Sequence, residues 1–202
     1  MIYGHNDAGG KMSHLVLVGG LTGSGKSTVG KYLTRRVKYA YLDKDTLTRE
    51  LVDALVAEAG SDFGPGDRDS VIYVERARPA EYQCFMNTVM ENVSLGIPTI
   101  ATAPFISEMN NSLWIKKIAE QVDDYDFKLT MVWLDCDLAI TKRRLMQRNA
   151  VRDQIKMAIW EEYEAFAQGI EVPKPPVLIY DNRPEQSIHN ICEKIINDVE
   201  HF

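Results

Sequence analysis

Short apolar runs alternate with longer stretches of helical periodicity along almost the whole chain. Residues 15–18, Leu-Val-Leu-Val, are apolar without interruption, as a strand buried on both faces requires. Further runs at 39–42, 97–103, 127–134 and 177–180 predict four more strands. Between them, apolar residues at helical spacing predict helices over 27–36, 46–59, 71–78, 80–95, 107–121, about 137–149, 154–168 and 184–199. Pro79 fits the first turn of the helix that follows it. Residues 61–70 (SDFGPGDRDS) carry the turn composition of a loop, and 172–176 (VPKPP) that of a stiff extended connector. Strand–helix alternation of this kind predicts an α/β fold: a five-stranded parallel sheet with helices on both faces. Its ligand site is expected beyond the carboxyl ends of the strands.

The chemistry begins where the first strand ends. Gly20-Leu21-Thr22-Gly23-Ser24-Gly25-Lys26-Ser27 fits G-x-x-x-x-G-K-[ST] at every fixed position. Glycines let the backbone turn its N–H groups around phosphate oxygens, and the next helix adds its positive end. Gly20, Thr22, Gly23, Ser24, Gly25, Lys26, Ser27 and Thr28 are therefore the predicted nucleotide-binding residues. Lys26 is expected to reach the β- and γ-phosphates, and the Ser27 hydroxyl to ligate Mg²⁺.

A second signal is Asp43-Lys44-Asp45, where the second strand runs out. A parallel sheet puts both carboxylates at the edge where phosphate is transferred. Asp45 is expected to orient and deprotonate an acceptor hydroxyl, with an N-cap of the following helix as the bland alternative. Asp43 is a candidate for holding Mg²⁺ through water. Four arginines, Arg143, Arg144, Arg148 and Arg152, cluster around a predicted helix break at Asn149-Ala150. Arg143 and Arg144 suit a solvated helix face, whereas Arg148 and Arg152 bracket the break and suit a lid (about 142–156) that closes on ATP. Arg49, Arg68, Arg76 and Arg78, with Tyr73, Tyr82 and Glu75, lie between the second and third strands and would wall an acceptor site. Arg49 and Arg78 are the predicted substrate residues with Asp45.

Composition narrows the partners. The 202 residues carry a formal net charge of -6, against general nucleic-acid or anionic-membrane binding. Cys84, Cys136 and Cys192 make neither a disulfide framework nor a C-x-x-C site, and fit buried thiols in a reducing cytoplasm. Residues 1–13 are expected to form a mobile tail, with Met12 an alternative start, and 14–202 one domain acting as monomer or homodimer.

Three classes of phosphate-loop protein compete. A GTPase switch needs a guanine-selecting Asn-Lys-x-Asp, which is missing. A non-kinase ATPase or nucleotide sensor finds support in Met131-Val132-Trp133-Leu134-Asp135, four apolar residues before an acid that would serve as Walker B, but Cys136-Asp137 replaces the usual acidic pair. A kinase accounts for Asp45 and the arginine lid together.

These residues resemble the small P-loop kinases, and more closely the zeta-toxin-like and kinase-like proteins termed AAA family ATPases. The resemblance rests on the phosphate loop, Leu42 to Asp45, Arg78-Pro79 with Tyr82, Leu95-Gly96, Ala103-Pro104-Phe105 and Arg148 to Asp153. It covers nearly the whole chain from Leu15. It implies the three-layer P-loop NTPase fold with a small helical lid, and ATP- and Mg²⁺-dependent phosphotransfer to a hydroxyl of a small molecule. One departure stands out: the third strand ends in Thr102-Ala103-Pro104, where many relatives carry a metal-orienting Asp. Asp43, Asp135, or Ser27 with water alone must then fill that role.

Overall fold

A computed structural model describes residues 13–60, 67–68, 70–183 and 187–200. Five strands, β1 (Ser13–Gly19), β2 (Ala40–Asp43), β3 (Thr99–Thr102), β4 (Phe127–Asp135) and β5 (Leu178–Asp181), form one sheet in the order β2-β3-β1-β4-β5. Every pairing is parallel. β1 lies at the centre, with Val18 in register with Thr102 of β3 and Val132 of β4. Ser13, assigned above to the tail, opens this strand; residues 1–12 lie outside the described residues.

The alternation of β1 separates two cores. Leu15 and Leu17 pack with α3 (Arg78–Ser94) and α4 (Ser112–Asp123), in a cluster centred on Phe85 and Phe105. Val16 and Val18 face the other way, onto Val29 and Leu33 of α1 (Lys26–Val37) and Ile191 and Ile195 of α8 (Ile188–Glu200). The result is three layers, helix on sheet on helix, as the alternating pattern predicts.

α2 (Lys44–Glu58) follows β2 without a gap. Residues 71–78 are helical as expected, but Tyr73–Ala77 widen to π geometry and run directly into α3, the Arg78 N–H bonding back to Tyr73 O. Pro79 stands in the first turn of α3, as expected, but no break separates that helix from the π turn before it. The missing N–H and the ring of Pro79 disfavour ordinary α bonding in the preceding turn, and the turn opens by one residue.

Beyond β4, α5 (Leu138–Arg148) ends at Asn149, which is left-handed at φ 46°. The single helix predicted over 154–168 is two, α6 (Val151–Ala158) and α7 (Trp160–Gln168), turning at Ile159. Leu145, Trp160, Tyr163 and Ala167 form a separate small core beneath this region. Of the cysteines expected to be buried, Cys192 is, Cys136 is partly so, and Cys84 is exposed on α3.

Candidate functional site

The turn after β1 is shaped by its glycines. Gly25 caps α1 at φ 98°, with no side-chain bond to the first turn, so the leading N–H groups of the helix stand at the cleft as anion donors. A Cβ at Gly25 would collide with the Asn182 amide as well as strain the backbone. Lys26 Nζ donates to the carbonyls of Gly20 and Leu21, both at 2.8 Å. Thr22, Gly23, Gly25, Lys26, Ser27 and Thr28 line a cleft of about 970 Å³ at the carboxyl edge of the sheet. Gly20 and Ser24 support the loop from behind. Ser24 is buried, its carbonyl accepting Asn182 Nδ2 at 2.6 Å, and neither residue lines the cleft.

The feature that joins loop to sheet is Asp43. Ser27 Oγ donates to Asp43 Oδ2 at 2.9 Å, Thr102 Oγ1 at 2.8 Å and Tyr41 OH at 3.1 Å. The other oxygen, Oδ1, accepts the Thr46 N–H at 3.0 Å and so caps α2. The cap expected of Asp45 is thus made by Asp43. Burial alone would raise this carboxyl, but the bonds from Thr102, Ser27 and the Thr46 N–H outweigh it and hold it below its ordinary value. Tyr41, pushed up to about 12 chiefly by burial, stays a neutral donor. The position filled by a metal-orienting acid in many relatives is Thr102, in register with Asp43. A carboxylate held anionic beside a serine hydroxyl suits a hard cation completed by water and phosphate oxygens. Ser27 and Asp43 are the residues that would hold Mg²⁺.

Asp135 ends β4 exposed and does not line the cleft. Its place is taken on the loop side by Asn182, whose N–H bonds to Asp135 O at 2.8 Å. A Walker B role for Asp135 finds no geometry here.

Asp45 lies in the first turn of α2 and lines the cleft, 3.3 Å from Lys44 Nζ. Lys44 is buried and meets Glu81 Oε1 at 2.5 Å, and Glu81 also takes bonds from Thr48 at 2.6 Å and Tyr73 at 3.0 Å. Arg78 lines the same wall, donating to Ser107 Oγ at 3.0 Å and Glu108 Oε1 at 3.1 Å, with its guanidinium 4.7 Å from the Tyr82 ring centre. Arg68, Tyr73 and Tyr82 line the cleft as expected. Arg49, Glu75 and Arg76 do not: Arg49 is one helical turn further from the loop than Asp45, and Glu75 and Arg76 are on the exposed side of the π turn.

The lid arginines divide differently from expectation. Arg144, assigned above to a solvated face, donates to Gly23 O at 3.2 Å and Asn182 O at 2.9 Å, and ties α5 to the loop. Arg143 is exposed. Arg148 lines the cleft but is held across the Asn149 break by Asp153, with two bonds of 2.7 Å. The Arg152 side chain lies outside the described residues.

Sequence reasoning missed Thr102, Tyr41, Lys44, Glu81, Arg144 and Asn182 as parts of the site. Only one signal pointed toward them: Gly30, a glycine inside a helix. There α1 approaches β2 and β3 so closely that a Cβ would meet Thr102 and Tyr41 at 2.6 and 2.8 Å.

A phosphate loop between the central strand and the first helix of a 2-3-1-4-5 parallel sheet defines a three-layer P-loop NTPase fold. The chain belongs to the AAA domain family, whose sequence profile matches residues 15–170. No curated protein matches it significantly. Among solved structures it is similar to a kinase candidate from Chloroflexus aurantiacus, at 17% identity and a TM-score of 0.67 over 96% of this chain and 99% of that one. A Sinorhizobium meliloti gluconokinase aligns at 16% identity and TM-score 0.58, covering 95% and 94%. The Mycobacterium tuberculosis APS kinase CysC, in complex with AMPPNP and APS, aligns at 19% and 0.54, covering 94% and 98%. At these identities the likeness is one of fold.

Proposed function

We propose that this protein is an ATP- and Mg²⁺-dependent phosphotransferase acting on a hydroxyl of a small molecule. The observation that carries the reading is the cleft itself. It runs without a break from the phosphate loop, past Asp43 and Asp45, into a second compartment walled by Tyr73, Arg78, Tyr82 and Ser107. Hydrolysis needs room only for water, whereas transfer needs a place for the acceptor.

Lys26 and the N–H groups opening α1 hold the ATP phosphates and offset the charge on the transferred group. When bound, Mg²⁺ would neutralise the β- and γ-phosphate oxygens from its place by Ser27 and Asp43. The acceptor oxygen bonds to the γ-phosphorus as the bond to the β,γ-bridging oxygen breaks. ADP leaves with that electron pair, and the hydroxyl proton passes to Asp45. Asp43 is a poor base, since its lone pairs are engaged by five donors and its proton affinity is lowered. Asp45, at the cleft wall, is the carboxylate suited to the proton. Arg144 stabilises the loop, and Arg148, released from Asp153, could add charge on closure. The fold shared with the similar kinases supports the reading but fixes no acceptor.

The non-kinase ATPase reading requires an acid at Asp135 to face the phosphates, and the exposed position of that residue disfavours it. The test is incubation with ATP, Mg²⁺ and a panel of alcohols, followed by mass spectrometry. A phosphorylated acceptor formed in step with ADP, and lost in Lys26→Ala, supports transfer. ADP release indifferent to every acceptor refutes it.

A further inference from the structure

The two compartments of the cleft differ in charge. At the loop, the groups are cationic or dipolar: Lys26 and Arg144 donate to backbone carbonyls, and α1 points its N-terminus inward. At the acceptor wall, each cation meets a carboxylate. Lys44 lies 2.5 Å from Glu81 and 3.3 Å from Asp45, Arg68 lies 2.5 Å from Asp53, and Arg78 lies 3.1 Å from Glu108. Lys44, Arg68 and Arg78 thus each have their charge offset by a carboxylate.

We infer that the acceptor is a neutral or amine-bearing alcohol, and that its carboxylate or phosphate counterparts are rejected. The inference rests on the phosphotransfer reading and deepens it. An acidic acceptor that draws Arg78 to itself competes with Glu108, a side chain just 12% exposed. Displaced, that carboxylate would be left desolvated without its partner, the costly outcome for a buried pair. A hydroxyl or an amine meets no such obstacle. Arg78 uses Nη2 for Glu108 and Ser107, leaving other guanidinium N–H groups for neutral oxygens. Tyr73, Tyr82, Ile106, Tyr163 and Phe166 also line the cleft and offer apolar surface to the acceptor's carbon frame, with Arg68 over Tyr73, Arg78 over Tyr82 and Lys156 over Tyr163.

The experiment uses the full chain with ATP, Mg²⁺ and matched acceptors: glucose, glucosamine, glucuronate and glucose 6-phosphate; adenosine and AMP; shikimate and its methyl ester. Transfer is read by product mass and ADP release. The expected result is that the accepted compounds are neutral or amino members, with kcat/KM at least ~10-fold lower for each acidic counterpart. Glu108→Gln should narrow that ratio by roughly 10-fold, because Arg78 is then free for an anion. Both values come from one preparation of each variant, so partial misfolding does not move the ratio. Preferred transfer to acidic members, or a ratio unmoved by Glu108→Gln, overturns the inference while leaving phosphotransfer standing. ATP turnover unaffected by every compound overturns phosphotransfer and the inference with it.

Discussion

The Ser27 hydroxyl donates to Oδ2 of Asp43 at 2.9 Å, linking the first turn of α1 to the end of β2. The two strands that frame this contact are not neighbours, because β3 lies between β1 and β2. α1 crosses over β3, and Gly30 lets it come close enough to do so. The same carboxylate oxygen also accepts from Thr102 and Tyr41, so Asp43 is both an element of the scaffold and the acid nearest the expected cation.

Asp43→Asn separates those two roles. Asparagine keeps the cap to Thr46, but its amide nitrogen cannot accept from Ser27, Thr102 and Tyr41, so stability is expected to fall by ~1–3 kcal/mol. Activity should fall ~10–100-fold through weakened Mg²⁺ binding, a loss partly relieved by raising the Mg²⁺ concentration. Denaturant unfolding and Mg²⁺ titration of the rate measure the two effects separately.

The lowered proton affinity of Asp43 also fixes a pH dependence. Its folded value lies below the ordinary 3.8, so its contribution to stability is fully present above 3.8 and is lost as pH falls through the folded value. Between those limits the unfolded state binds more protons, and stability rises with pH. Asp43→Asn should flatten that part of the acid limb in a plot of unfolding free energy against pH. For the same reason, no titration of Asp43 is expected in the rate profile from ~pH 5 upward.

Asp45→Asn removes the proposed base while keeping its shape. Turnover is expected to drop ~100- to 10,000-fold, with ATP affinity nearly unchanged. Single-turnover transfer and equilibrium nucleotide binding distinguish this from a folding defect. A normal rate of transfer would remove Asp45 from the mechanism.

Lys44 and Glu81 bury their charges together, with side chains 4% and 1% exposed. Lys44→Met leaves Glu81 buried without its cation and should cost ~3–5 kcal/mol of stability, whereas Glu81→Gln should cost less, because Lys44 keeps Asp45 as a partner. The double variant should recover much of that loss, a coupling that a denaturant-monitored double-mutant cycle would reveal.

By itself, the sequence determined the parallel α/β architecture and the phosphate loop, because both are written in consecutive residues. A run such as Leu15 to Val18 can bury both faces only inside a covered sheet, and Gly20 to Ser27 shape their turn through their own backbone. It also placed the helix break at Asn149, where a single residue in the left-handed region ends α5. That Asp43 would both cap α2 and bond to Ser27 was not legible, since Asp43 and Asp45 stand two residues apart at the junction of β2 and α2 and the path of α1 above them decides between them. Arg144 read as a surface arginine for a related reason: its partners Gly23 and Asn182 are distant in sequence and meet it only when β5 closes the sheet beside the loop. The charge of the acceptor wall was likewise a tertiary outcome. Counted along the chain, Arg68 and Arg78 suggest an anion site. Folding brings Asp53 and Glu108 against them, and a paired arginine no longer attracts as a free one does.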